Sequence, residues 1–345
     1  MTTFGFKGGV MATFQTFGPY LDLIGSTAVQ WKLISTASGS VTLENGLQQL
    51  SIQGNFAIGP AGEVSGTATS VLLTQTGYSG LPVFQATDLT IDAGQFVDTV
   101  LKATTDTQIY TALLAGSDTI VGSASKDLLQ GFAGSDIIRA GAGDDRIGAD
   151  AGSDVIDGGA GFDTVIYKNA YANYRIERTG DGWTIADQKG TGGSDTLKNV
   201  ERVYFSDKDM ALITPDDTGG QIFRMYQAAL DRKPDEAGLD YWTHQIDAGG
   251  AKLATIADNF IKSAEYRQLY GTGLSNRDLV GKYYEHILHR APEQAGLDFW
   301  TGVLDSKAAT NAEVLAAISE SKENVDLSVQ LIGSGLVFDT PIMTV

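Results

Sequence analysis

Between residues 113 and 166 the chain repeats every nine residues, and the repeat holds its one regular set of reactive side chains. Aligned in nines the segment reads LLAGSDTIV (113–121), GSASKDLLQ (122–130), GFAGSDIIR (131–139), AGAGDDRIG (140–148), ADAGSDVID (149–157) and GGAGFDTVI (158–166). The sixth place is always an acid: Asp118, Asp127, Asp136, Asp145, Asp154 and Asp163. The eighth is always a large aliphatic: Ile120, Leu129, Ile138, Ile147, Ile156 and Val165. Glycine holds the fourth place in five of the six. Periodic carboxylates among glycines offer side-chain and backbone oxygens together, a donor set that suits a hard divalent cation. Thiolate chemistry is excluded, because the chain has no cysteine. Its three histidines, His244, His286 and His289, have neither metal-binding nor catalytic spacing.

The nonapeptide resembles the G-G-x-G-x-D-x-U-x repeat of RTX proteins, which stacks as a parallel β-roll. In such a roll two nonapeptides complete one coil, so like turns lie eighteen residues apart. The resemblance implies that Asp118, Asp136 and Asp154 line one edge and Asp127, Asp145 and Asp163 the other. The eighth-place aliphatic points inward, and the glycines let the turn bend tightly and direct carbonyls inward. Neighbouring strands lie about 4.8 Å apart. Carboxylates at that spacing repel by about 1 kcal/mol in water, and by several times more at an effective dielectric near ~20. Calcium between successive turns relieves that repulsion. Its ligands are the six aspartates, with backbone carbonyls near Gly134, Gly143, Gly152 and Gly161. The pairs 118/136, 127/145, 136/154 and 145/163 give up to about four Ca2+ sites. The second repeat departs, with Ser125 in a glycine place and Lys126 beside the acid; Ala140, Ala149 and Asp150 also replace glycines. Gly192-Gly193-Ser194-Asp195 looks like a further half-repeat, but lies 32 residues past Asp163 and reads as a turn.

Four stretches of different character position this array: 1–112, 113–166, 167–212 and 213–345. The first is rich in Ser, Thr and Gly, and its pairs Leu50/Ile52, Phe56/Ile58 and Leu89/Ile91 alternate with polar neighbours, as in a half-buried antiparallel sheet. Helical spacing in Phe96–Leu101 and Ile109–Leu114 predicts two short helices at its end. In 167–212, Tyr174/Ile176 and Trp183/Ile185 flank a Gly-Asp-Gly turn, giving a hairpin. That stretch resembles the sheet that closes the roll in the serralysin C-terminal domain. The last stretch is duplicated with an offset of 58: Arg232–Thr243 aligns with Arg290–Thr301. Pro234 and Pro292 mark helix starts, and Trp242 and Trp300 fall on apolar faces. Arg232 is expected to pair with Asp240, and Arg290 with Asp298. The shared R-x-P-x-x-A-G-L-D-[YF]-W core resembles DUF4214, a helical repeat similar to the phycobilisome linker domain. The fold class is therefore multi-domain α+β: an N-terminal β-sheet domain, a parallel β-roll with a β cap, and a duplicated α-helical domain.

The chain is acidic, with 42 Asp+Glu against 24 Lys+Arg and a net charge of −18, which excludes nucleic acid as a natural partner. No apolar run is long enough for a transmembrane segment. G-x-S-x-G, H-E-x-x-H and Walker A motifs are absent. The RTX resemblance implies export by the type I secretion machinery of a Gram-negative bacterium, with a C-terminal signal, here 331–345, and a secreted or cell-surface location. Two functions fit. One is a non-enzymatic surface-layer, adhesin or biofilm-matrix protein that contacts cell-surface polysaccharide or self-associates. The other is a calcium-dependent glycan-active enzyme using carboxylates of the first stretch, among Glu44, Glu63, Asp88 and Asp92. The scarcity of acids and the lack of histidine in residues 1–112 favour the first.

Overall fold

The computed structural model describes residues 13–16, 32–37, 39–45, 48–60, 63–75, 82–87, 91–103, 111, 113–180, 182–190 and 192–339. Period-2 alternation builds the first sheet. It contains β1 (Thr13–Thr16), β2 (Lys32–Ala37), β3 (Ser40–Glu44), β4 (Gln48–Ile58), β5 (Val64–Gln75), β6 (Pro82–Thr87) and the short β7 (Ile91–Asp92). These strands pair antiparallel in the order β1-β6-β5-β4-β3-β2, with β7 against β5. Val41, Leu43, Leu50, Ile52, Val71 and Leu73 are buried. Helix α1 (Ala93–Lys102) adds Phe96, Val97 and Val100 to the core of this region. The second short helix predicted near 109–114 falls largely outside the described residues, as do Leu89 and Asp88.

The nonapeptides supply three-residue cores to strands that alternate between two parallel ladders. One ladder holds β8 (Thr119–Val121), β10 (Ile137–Ala142) and β12 (Val155–Ala160). The other holds β9 (Leu128–Gln130), β11 (Arg146–Gly148) and β13 (Thr164–Ile166). Pairing joins residues eighteen apart, with Ile120, Ile138 and Ile156 in one row and Leu129, Ile147 and Val165 in the other. All six aliphatics are buried. Next comes the predicted hairpin, β14 (Tyr174–Thr179) with β15 (Gly182–Asp187). After it, β16 (Ser194–Lys198) extends the first ladder and β17 (Arg202–Tyr204) the second, placing Leu197 below Ile156 and Val203 below Val165. At the other end of the first ladder, β1 pairs in parallel with β8 and joins it to the N-terminal sheet.

The chain divides into two units, Met1–Asp209 with Asp339–Val345, and Met210–Phe338. The second is helical apart from β18 (Asp209–Ala211) and β19 (Leu336–Phe338). Its first copy is α2 (Thr218–Leu230), α3 (Glu236–Asp247), α4 (Leu253–Ile261) and α5 (Ala264–Tyr270). Its second is α6 (Asn276–Ile287), α7 (Gln294–Asp305), α8 (Asn311–Ser319) and α9 (Lys322–Ile332). Pro234 and Pro292 stand one residue before the N-caps Asp235 and Glu293, just outside the helices that follow them rather than at the first helical position. Trp242 and Trp300 pack half-buried against the core. The arginine pairs differ from expectation. Arg232 bonds Glu265 at 2.5 Å and Arg290 bonds Glu323 at 2.6 Å, both pairs partly exposed, while Asp298 accepts from Arg277. The guanidinium groups also lie over Tyr226 and Tyr284, each 5.1 Å from the ring centre. The reason is reach: Asp240 and Asp298 sit on helices that begin beyond the arginine loops, whereas the glutamates open α5 and α9 directly opposite.

Four of the ladder turns have positive φ at the fourth place, at Gly134, Gly143, Gly152 and Gly161. Gly152 has φ 133°, and a Cβ there would lie 1.5 Å from the Gly134 carbonyl oxygen. Gly302, inside α7, has open space around it. Gly152→Ala is therefore expected to lower the thermal stability of the first unit by about 2 kcal/mol or more. Gly302→Ala should raise that of the second by about 0.5–1 kcal/mol. Calorimetry in calcium checks both, and an unchanged first transition in Gly152→Ala would contradict the stacked turns.

Candidate metal centre

The parallel register brings the six aspartates into two vertical rows. In the first, the backbone N–H of Asp118 donates to Asp136 Oδ1 at 2.8 Å, and that of Asp136 to Asp154 Oδ1 at 2.9 Å. In the second, Asp127 donates to Asp145 Oδ1 at 2.7 Å and Asp145 to Asp163 Oδ1 at 2.9 Å. Each carboxylate thus braces the turn before it. Both rows continue past the repeats. The N–H of Asp154 donates to Asp195 Oδ1 at 2.9 Å, and that of Asp163 to Glu201 Oε2 at 2.7 Å. Sequence reading assigns 192–195 to a turn out of register; in the structure Asp195 holds the next place in the first row. The hairpin between β13 and β16 is an insertion, after which GTGGSDTLK (190–198) resumes the nonapeptide in phase. Glu201 follows a shortened turn, and its longer side chain spans the missing reach. A serine row, Ser117–Ser135–Ser153–Ser194, runs alongside with N–H···Oγ distances of 3.0–3.1 Å. The fifth-place serines at eighteen-residue spacing were the available signal for it.

The carboxyl groups are almost wholly buried, the six repeat aspartates being 0–3% exposed. Burial pushes Asp136 and Asp163 up to about 7 and Asp145 to about 6. A backbone N–H opposes each shift, while neighbouring acids of the row add to it. Asp154 is also raised, chiefly by burial. Asp195, raised to about 7 by burial, is stabilised by the Tyr167 hydroxyl, which donates to Oδ2 at 2.8 Å.

In the second row Asp127 Oδ1, Asp145 Oδ2 and Asp163 Oδ2 are buried with no hydrogen-bond partner. A buried carboxylate oxygen left this way carries a desolvation cost that a cation would offset. Beside the acids, the carbonyls of Gly116, Gly134 and Gly152 each face the fourth-place glycine of the next turn in the first row, and that of Gly143 faces Gly161 in the second. Among the described residues no three His, Cys, Asp or Glu side chains converge on one point. Each step of a row offers two carboxylates, so the further ligands of a metal must be backbone oxygens. The donors present fit a hard, oxygen-seeking cation. Outside the rows, Asp92 caps α1 by accepting from the Gln95 N–H at 2.7 Å. Glu44 lies opposite Lys32 and Gln49 in the sheet. His244 and His286 lie on separate helices, α3 and α6.

Residues 114–147 and 131–165 match the RTX calcium-binding nonapeptide repeat. The array is a set of RTX repeats. Repeats of this family bind calcium, and calcium is their cofactor. Residues 221–260 and 257–328 match the domain of unknown function DUF4214, so the helical unit carries that domain. No curated protein matches the chain. Among solved structures, the extracellular lipase LipA from Serratia marcescens is similar over 28% of this chain at 25% identity, with a TM-score of 0.26. The similarity spans 17% of the lipase chain.

Without metal, the raised carboxyls make the first unit sensitive to pH. Their folded pKa values lie above the ordinary 3.8, so the folded rows hold protons that the unfolded chain releases. Stability is then complete below about pH 4 and falls as pH rises through about 6–7. Chelated protein is expected to melt at a lower temperature at pH 8 than at pH 5, and calcium should abolish that difference. A chelated protein whose first transition is as stable at pH 8 as at pH 5 would refute the buried-acid account.

Proposed function

We propose that the two ladders form a parallel β-roll that closes on calcium, and that the chain is an extracellular, non-enzymatic RTX protein. In this reading the six repeat aspartates bind the ions together with backbone carbonyls near Gly134, Gly143, Gly152 and Gly161. The three buried carboxylate oxygens without hydrogen bonds are the observation that carries it. A roll that forms around metal gains binding free energy as folding free energy. Calcium is scarce inside cells and plentiful outside, so folding would be deferred until export. Export would use the type I secretion machinery of a Gram-negative bacterium, the route of RTX proteins. No helix among the described residues is long and apolar enough to cross a membrane.

Once outside, the protein would act as a surface-layer, adhesin or biofilm-matrix component. Its contacts would be with polysaccharide or with further copies of itself. Against the enzymatic alternative, Asp92 of the first stretch serves as a helix cap.

Circular dichroism of chelated protein at pH 8, where the acid rows are least stable, is expected to show weakened β signal that rises on adding about 1 mM calcium and not with magnesium. The helical signal should be nearly constant throughout. Asp136→Ala with Asp154→Ala should move the calcium midpoint to higher concentration. Chelated protein with full β signal and undiminished heat resistance would end this reading.

A further inference from the structure

The duplication gives every position of α2–α5 a counterpart 58 residues later, and the two copies differ along one groove. In the second copy α6 and α7 border an open groove of about 690 Å³ that includes Gly281, Lys282 and Leu297. Their counterparts Phe223, Arg224 and Leu239 are buried. In the first copy the helical unit fills this groove with its own chain. Ile213 packs on Gly219, and Thr214 and Pro215 cross Gly220 so closely that no Cβ would fit. Arg224, 2% exposed, donates to the Pro215 carbonyl at 2.6 Å and to Glu320 at 2.8 Å. Glu320 is the corner between α8 and α9, and Ser328 of α9 lies 3.5 Å from the same guanidinium.

The second copy lacks these covers. Gly271, Thr272 and Gly273 replace Ile213, Thr214 and Pro215, and all three are exposed. Lys282, in the place of Arg224, is half-buried. Asp278 and Glu285 flank it on α6, but among the described residues it makes no ion pair. The other groove cations are satisfied, Arg277 by Asp298 and Arg290 by Glu293 and Glu323. Apolar walls remain in Leu274 and Leu297, and Gly281 leaves the room that Phe223 occupies in the first copy.

We propose that the α6–α7 groove docks an amphipathic helix of a partner protein that presents a carboxylate to Lys282. The first copy shows the chemistry of the occupant: a helix corner whose glutamate meets the groove cation while its small polar and apolar residues close the sides. This inference is independent of the calcium reading.

The test uses full-length protein in calcium and a fluorescein-labelled peptide of residues 315–332, LAAISESKENVDLSVQLI, the groove-filling corner itself. Saturable binding by fluorescence anisotropy is expected, weakened about tenfold or more by Lys282→Glu. A peptide carrying Glu320→Lys should bind wild type poorly and recover affinity for the Lys282→Glu protein. Circular dichroism checks that the variant remains folded. Absence of saturable binding overturns the proposal. So does binding indifferent to Lys282, which would mean that the peptide exchanges with the corner already seated on Arg224.

Discussion

Like charges stacked in a dry interior are the constraint that organises the first unit. A parallel ladder with an eighteen-residue register must place each sixth-place side chain directly above the last. The same register that buries Ile120, Ile138 and Ile156 in one row therefore buries Asp118, Asp136 and Asp154 in another. The aliphatic row stabilises by leaving water, by about 1.5–3 kcal/mol for each side chain. The acid row opposes it through desolvation and mutual repulsion. Backbone N–H groups from the preceding turn answer one oxygen each of Asp136, Asp154, Asp145 and Asp163, the Ser123 N–H answers one of Asp127, and in the second row the other oxygen stays bare. That imbalance is what the proposed calcium ions would correct.

Much of this was legible in the sequence, because a nine-residue period with two fixed chemistries admits few structures. The assignment of acids to two edges and the inward aliphatics follow from the resemblance of that period to the RTX repeat, and the hairpin from its alternation about a Gly-Asp-Gly turn. What escaped was whatever broke the period. Asp195 belongs to the first row, but the inserted hairpin delays it, and counting along the chain cannot see a strand that returns to phase after a detour. Glu201 was hidden for the opposite reason, since its turn is shortened and its residue type changed. In the helical unit the duplication was plain, yet the arginine partners were misassigned. Proximity in sequence pointed to Asp240 and Asp298, whereas α5 and α9 fold back to bring Glu265 and Glu323 to the guanidinium groups.

The helical copies show how a repeat diverges without losing its frame. The Arg–Glu pair, the tyrosine beneath it and the glycine that accommodates the tyrosine hydroxyl recur in both: Arg232, Glu265, Tyr226 and Gly238 against Arg290, Glu323, Tyr284 and Gly296. Such exposed pairs contribute little individually, but they hold the loop that starts α3 and α7. Differences concentrate where the copies have different neighbours. Arg224 is sealed by its own chain, so its charge is fully compensated, while the equivalent Lys282 keeps a compact, strongly hydrated ammonium.

Strand β1 has a consequence of another kind. Thr13 lies near the start of the chain, yet it registers against Thr119 in β8 and Thr87 in β6. The strand therefore stitches together segments made at very different times during synthesis. Closing so long a loop adds only modest entropy relative to a short one, but non-local pairings of this sort are slow to find. The N-terminal sheet can therefore join the first ladder only once β8 is in place, making the seam between them a late event in the maturation of the molecule.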